Sequence, residues 1–133
     1  MFANLNRNLL KAVMLADGAF SLVAGAGLVA LAGPIAGLLG VSVDPAIVSS
    51  VGLFLLGWGV FHLAAGRPAQ PRAGAISIAI AGDGLWVLAS AAILFVAREQ
   101  LSTIGMAAIA LVALAVLDIM LLKLAGWRRQ AGA

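Results

Sequence analysis

Apolar residues run along this chain in four stretches, each longer than an ordinary soluble helix requires and each ended by a polar or proline-bearing turn. The first, residues 9–32, is about 36 Å long as a helix, enough to cross a hydrocarbon core of ~30 Å. Gly33-Pro34 ends it, and residues 34–40, too short to span, are expected at the interface as a helical turn or two. Asp44-Pro45 has the form of an N-cap followed by proline at the first helical position, and it opens a second stretch over 45–65. Gly66-Arg67-Pro68-Ala69-Gln70-Pro71-Arg72 is a tight basic turn, the third stretch covers 73–97, and Arg98-Glu99-Gln100 turns the chain again. Ser102 is placed to cap a fourth stretch over 103–126, closed by the interfacial Trp127 and the cations Arg128 and Arg129. The pattern predicts an all-α, four-helix transmembrane bundle forming a single membrane domain, 1–133. A polar lead-in over 1–8 carries the turn and cap formers Asn4, Asn6 and Asn8.

Composition agrees with the pattern. The chain is 64% hydrophobic and 10% charged, with a mean hydropathy of +1.16, whereas soluble domains are about half apolar and about a quarter charged. There is no cysteine, which excludes disulfides, thiolate metal sites and cysteine nucleophiles. The net charge of +3 is not a nucleic-acid signal, because the basic residues sit at the ends of the apolar runs. Arg7, Lys11, Arg67, Arg72, Lys123, Arg128 and Arg129 fall on one side of a four-span arrangement, and Arg98 falls on the other beside Glu99. The positive-inside rule then puts both termini in the cytoplasm. Arg7, Lys11 and the Ala30-Leu31-Ala32 triplet imitate a signal peptide. The length of the run and the Asp17 inside it favour a retained membrane helix.

Carboxylates inside such runs are costly and should face protein, water or a partner. Asp17, in Leu15-Ala16-Asp17-Gly18, has an echo in Asp83, in Ala81-Gly82-Asp83-Gly84. At the same offset Gly18, Leu22, Ala26 and Leu28 match Gly84, Leu88, Ala92 and Leu94, and Phe20 faces Trp86. Either two helix pairs repeat in parallel about an axis along the membrane normal, or an Ala/Gly/Leu alphabet has produced a coincidence. Counted from the basic anchors, Asp17 lies ~9 Å deep, His62 and Asp118 ~7–8 Å, and Asp83 ~16 Å. All four then sit in the cytoplasmic half or near the midplane. One reading is a polar pocket, open to the cytoplasm, in which Asp17, His62, Asp83 and Asp118 exchange protons or hold a cation. The other is structural: protonated acids bonded to Ser21, a carbonyl or His62, with Asp118 neutralised by Lys123 as both snorkel outward. Small residues accompany the acids: Ser21 and Gly25 near Asp17, Ala75 and Ala79 with Asp83, Ala108 and Ala115 with Asp118. Such faces suit either a partner helix or packing within the bundle.

Other chemistry is sparse. No serine–histidine–acid set, phosphate loop or zinc spacing is present, so no catalytic residue is assigned and an enzyme is not expected. With one histidine, a bis-histidine haem is impossible. A haem held by His62 and Met120, or a chlorophyll-type pigment on His62 beside Trp58, is the only cofactor reading, and His62 is the only metal candidate. Trp58 and Trp86, inside spans rather than at the girdle, are candidates to wall a hydrophobic pocket.

The run Leu9-Leu10-Lys11-Ala12-Val13-Met14-Leu15-Ala16-Asp17, the bend Gly33-Pro34-Ile35-Ala36-Gly37-Leu38-Leu39-Gly40 and the segment Gly84-Leu85-Trp86-Val87-Leu88-Ala89-Ser90 resemble a family of small bacterial four-helix integral membrane proteins without an established activity. That pattern often carries Asn where Asp83 stands. The resemblance implies a bacterial inner-membrane protein. A second likeness, to small multidrug-resistance transporters, rests on four spans and an acid in the first helix, and their characteristic glutamate is absent here. Together these observations lead to an expected accessory or assembly subunit that packs, within the lipid bilayer, against another membrane protein or a second copy of itself. The alternative is a small transporter or proton/cation carrier using Asp17 and Asp83.

Overall fold

The structure, a computed structural model, describes residues 8–131; Arg7, Asn4 and Asn6 of the lead-in lie outside the described residues. Among the described residues, five α-helices follow in order: α1 Leu9–Ala30, α2 Ala32–Leu39, α3 Pro45–Gly66, α4 Ala73–Val96 and α5 Thr103–Ala131, with one 3-10 turn, Arg98–Gln100, before α5. Four of them, α1, α3, α4 and α5, are long and apolar enough to cross a membrane. The chain breaks at Leu31 and resumes as the short α2, which contains Pro34 in its first turn. Helix α5 continues past the expected boundary to Ala131.

The turn chemistry is local and visible. The Asp44 carboxylate accepts from the Ala46 amide (2.9 Å), with Pro45 opening α3. Ser102 Oγ accepts from the Gly105 amide (2.9 Å) and donates to the Leu38 carbonyl (2.5 Å), so the cap of α5 also clamps the end of α2. At the opposite end of the bundle, Lys11 Nζ donates to the Arg67 carbonyl (2.6 Å) and Gln130 Nε2 to the Pro71 carbonyl (3.3 Å). The start of α1, the 67–72 turn and the end of α5 therefore meet at one end.

Helices α1 and α3 approach most closely, and glycine makes this possible. A methyl group at Gly25 would stand 2.7 Å from the Gly52 carbonyl oxygen, and one at Gly52 2.8 Å from that of Gly25. Two turns along, Gly18 and Gly59 stand in the same relation, at 3.0 and 2.9 Å. Backbones in this contact gain dispersion without any apolar driving force against lipid. Helices α4 and α5 form the other main pair. On the side of the basic turn, Leu10 and Met14 of α1 pack against Ile76 and Ala79 of α4, all nearly or fully buried. Most large apolar side chains elsewhere, Phe20, Val23, Phe95 and Leu111 among them, face outward, as a lipid-embedded bundle requires.

Candidate functional site

The centre of the bundle holds a closed polar cluster drawn from all four long helices. Lys123 of α5 projects inward and its Nζ donates to Asp17 Oδ2 of α1 (2.6 Å), Asp83 Oδ2 of α4 (2.7 Å) and His62 Nε2 of α3 (2.8 Å). An ammonium has three N–H donors, and each is used. His62 Nδ1 lies 2.9 Å from the Trp58 carbonyl. A carbonyl only accepts, so Nδ1 carries a ring proton, while Nε2 lies between the lysine Nζ and Asp17 Oδ2, 3.2 Å from the latter. Ser21 Oγ donates to the other oxygen of Asp17 (3.2 Å), one helical turn along α1.

Aromatic rings fix the imidazole. Trp58 meets His62 edge-on with centroids 4.7 Å apart, Phe61 does so from another side at 5.4 Å, and Phe54 stacks on Trp58 at 5.7 Å. Gly82 on α4 leaves the space into which the Trp58 ring fits, one residue before Asp83. Helix position accounts for the convergence. Asp17 and Gly18 are adjacent on the α3-facing side of α1, and His62 lies one turn beyond Gly59 on α3, so the glycine contact carries both groups inward.

Several expectations are corrected by this geometry. The cluster is not a wide pocket open to one side: His62 and Lys123 are 0% exposed, Asp83 3% and Asp17, its most exposed member, 9%. Leu10, Met14, Ile76 and Ala79 fill the space between it and the basic end. Asp17 and Asp83 are not at different depths, since their carboxylates share one ammonium. The anchors from which depth was counted are not level: Arg72 is exposed outside α4, whereas Lys11 is half-buried and bonded to Arg67. Asp118 does not join the cluster; it is exposed on α5, and Lys123 neutralises Asp17 and Asp83 instead. Five residues along a helix rotate a side chain by about 140°, so Asp118 and Lys123 leave α5 on different faces.

The cofactor candidates also change. Both ring nitrogens of His62 are engaged within the cluster, and the Met120 sulfur lies beside Gly84 of α4. Trp58 belongs to the aromatic stack, and Trp86 keeps a buried Nε1–H without a hydrogen-bond partner among the described residues. An open groove of about 400 Å³ lies between α3 and α4 at the basic end, lined by Phe61, Ala64, Ala65, Pro68, Arg72 and Ala75.

Lys123 is the group that sequence reasoning missed, because it stands close to Trp127-Arg128-Arg129 and was counted with them as an interfacial cation. Its signal was facial: it shares a face of α5 with Met120 and Gly126, which pack on α4 and α1. Chemically, the cluster gathers a lysine, two carboxyl groups and an imidazole within hydrogen-bonding distance of one another. The ligand atoms of Asp17, His62 and Asp83 lie within 4.8 Å of one another. That oxygen-and-nitrogen set suits a cation, and a protonated amine already fills it. The chain is thus a small multi-helix membrane protein with an internal, cation-coordinating polar cluster. It matches no family model, no curated protein and no solved structure.

Proposed function

We propose that this protein is a small cation or proton carrier of a bacterial inner membrane, not an enzyme, with both termini in the cytoplasm. The observation that carries the reading is the buried Lys123 ammonium bonded at once to Asp17, Asp83 and His62, inside spans where such charge is otherwise avoided. Lysine here is a tethered cation. An incoming cation that takes the two carboxylates and the imidazole lone pair must displace it, and when that cation leaves the lysine returns. With both carboxylates ionised, the negative charges outnumber the positive one and the site retains attraction for one more positive charge, a proton included.

The closed cluster is then the occluded state. The Leu10, Met14, Ile76 and Ala79 layer bars it from the basic end. Phe61, which borders both His62 and the α3–α4 groove, separates it from the space beside Arg72. Flux through reconstituted liposomes tests the proposal, with imposed gradients of H⁺, Na⁺ and K⁺ measured separately. Asp17→Asn and Asp83→Asn should each lower the transported flux about tenfold or more, the equivalent of at least ~1.4 kcal/mol of lost binding. Unchanged flux in both variants, or no flux of any of the three ions, refutes it. The accessory-subunit reading finds its support elsewhere, on the outer face of α5.

A further inference from the structure

Helix α5 is the least covered of the four membrane-length helices. Its outward residues recur at alternating steps of three and four: Ile104, Ala107, Leu111, Leu114, Asp118 and Leu121, all exposed. Those positions fit the a/d seam of a left-handed helix pair, within a broader exposed face that also carries Val112, Ala115 and Leu122. One position in the seam is a carboxylate. Asp118 lies near the middle of the span Thr103–Gln130, about 22 Å from its start and about 18 Å from its end. It is therefore within the hydrocarbon region, and among the described residues nothing bonds to it.

We propose that α5 pairs with α5 of a second copy of this chain, placing Asp118 against Asp118 on the two-fold axis. The chemistry of that one side chain selects a second copy over an unrelated protein. Copies inserted in the same direction bring their α5 helices together in parallel, so an a position meets itself. A carboxyl group is self-complementary there: one protonated acid donates to its twin, and neither faces acyl chains. A single polar residue at an a position also fixes register, as it does in soluble coiled coils. The dimer leaves the internal cluster untouched, because Lys123 points to the other side of the helix.

The absence of cysteine makes the test direct. Leu114→Cys and Leu121→Cys are introduced singly, with Val60→Cys on the exposed face of α3 as the reference, and oxidised in native membranes. Disulfide-linked homodimers should form at 114 and 121 and not at 60. Adding Asp118→Leu should reduce cross-linking at 114 by ~3- to 20-fold, the range expected for one interhelical hydrogen bond in a membrane, while Asp118→Asn, also self-complementary, should preserve it. Equal cross-linking at 60, or undiminished cross-linking with Asp118→Leu, overturns the proposal. So does capture of a different, larger protein at 114 in place of the homodimer.

Discussion

Replacing Lys123 with Met removes the ammonium while keeping almost all of the side chain's length and apolar packing. The loss is then the loss of three bonds, to Asp17 Oδ2, Asp83 Oδ2 and His62 Nε2. Interhelical hydrogen bonds in membrane proteins average about 0.6 kcal/mol and reach about 1.7, so three of them amount to about 2–5 kcal/mol. Breaking a buried ion pair from one side costs about 3–5 kcal/mol, because the partner charge is left uncompensated, and the two ranges overlap. Proton uptake by the orphaned acids brings the cost toward the lower end. The assay is reversible unfolding in mixed micelles by titrating in denaturing detergent, followed by helical circular dichroism. Lys123→Met should lose about 2–4 kcal/mol, and Lys11→Met, at the edge of the bundle, less than about 1 kcal/mol. The triple variant Asp17→Asn/Asp83→Asn/Lys123→Met, which has no charge to leave unpaired, should recover most of the deficit. A Lys123→Met protein within about 0.5 kcal/mol of the parent at neutral pH would refute the assignment of the ammonium to these three acceptors.

Two further outcomes follow from the same structure. With the ammonium gone, Asp17, His62 and Asp83 remain within 4.8 Å of one another, so Zn²⁺ at a hundredfold excess over its dissociation constant should restore about 2.7 kcal/mol to Lys123→Met and less to the parent, where the ion must first displace the ammonium. A zinc effect of equal size on both proteins would mean that the ion binds elsewhere. In the α1–α3 contact, Gly52→Ala puts a methyl 2.8 Å from the Gly25 carbonyl oxygen, whereas Gly57→Ala meets nothing within 4 Å. The first should cost about 1–3 kcal/mol by overpacking and the second should be neutral or favourable, measured by the same detergent titration; equal effects would sink the close-contact account.

The spans, the short second helix and the caps at Asp44 and Ser102 were legible because each depends on local chemistry: hydropathy over a window, a proline at the first helical position, a hydroxyl before an amide. Asp17 and Asp83 were legible as residues that had to be hidden. Their common partner was not, because that depends on the rotation of α5, and periodicity is faint in helices that are apolar on nearly every side. Lys123 looked like an anchor by its distance from Arg128. Only its packing neighbours, Met120 and Gly126, distinguish its face from the one that carries Asp118. The glycines at 18, 25, 52 and 59 were visible as small residues, but their pairing across two helices is a matter of register, which composition does not encode.

A buried ion pair is weak evidence of a purely stabilising role, since well-packed apolar residues often hold a core as firmly. This cluster goes further against that role. Asp17 and His62 belong to the tightly joined α1–α3 pair, while Asp83 and Lys123 belong to the α4–α5 pair. The ammonium's bonds to Asp17 and His62 thus join the two units, while its bond to Asp83 lies within one. Around it the two pairs also meet where Gly126 of α5 lies against the Leu10 backbone of α1, where Leu10 and Met14 pack on Ile76 and Ala79, and where the Trp58 ring covers Gly82, while an open groove of about 400 Å³ runs between α3 and α4. A cation that replaced the lysine would still tie the two pairs together through Asp17 and Asp83. Neutralising either acid would cut the tie on one side only. Occupancy of the site therefore bears on the coupling of the two helix pairs, a link that the proposed carrier requires and a static support does not.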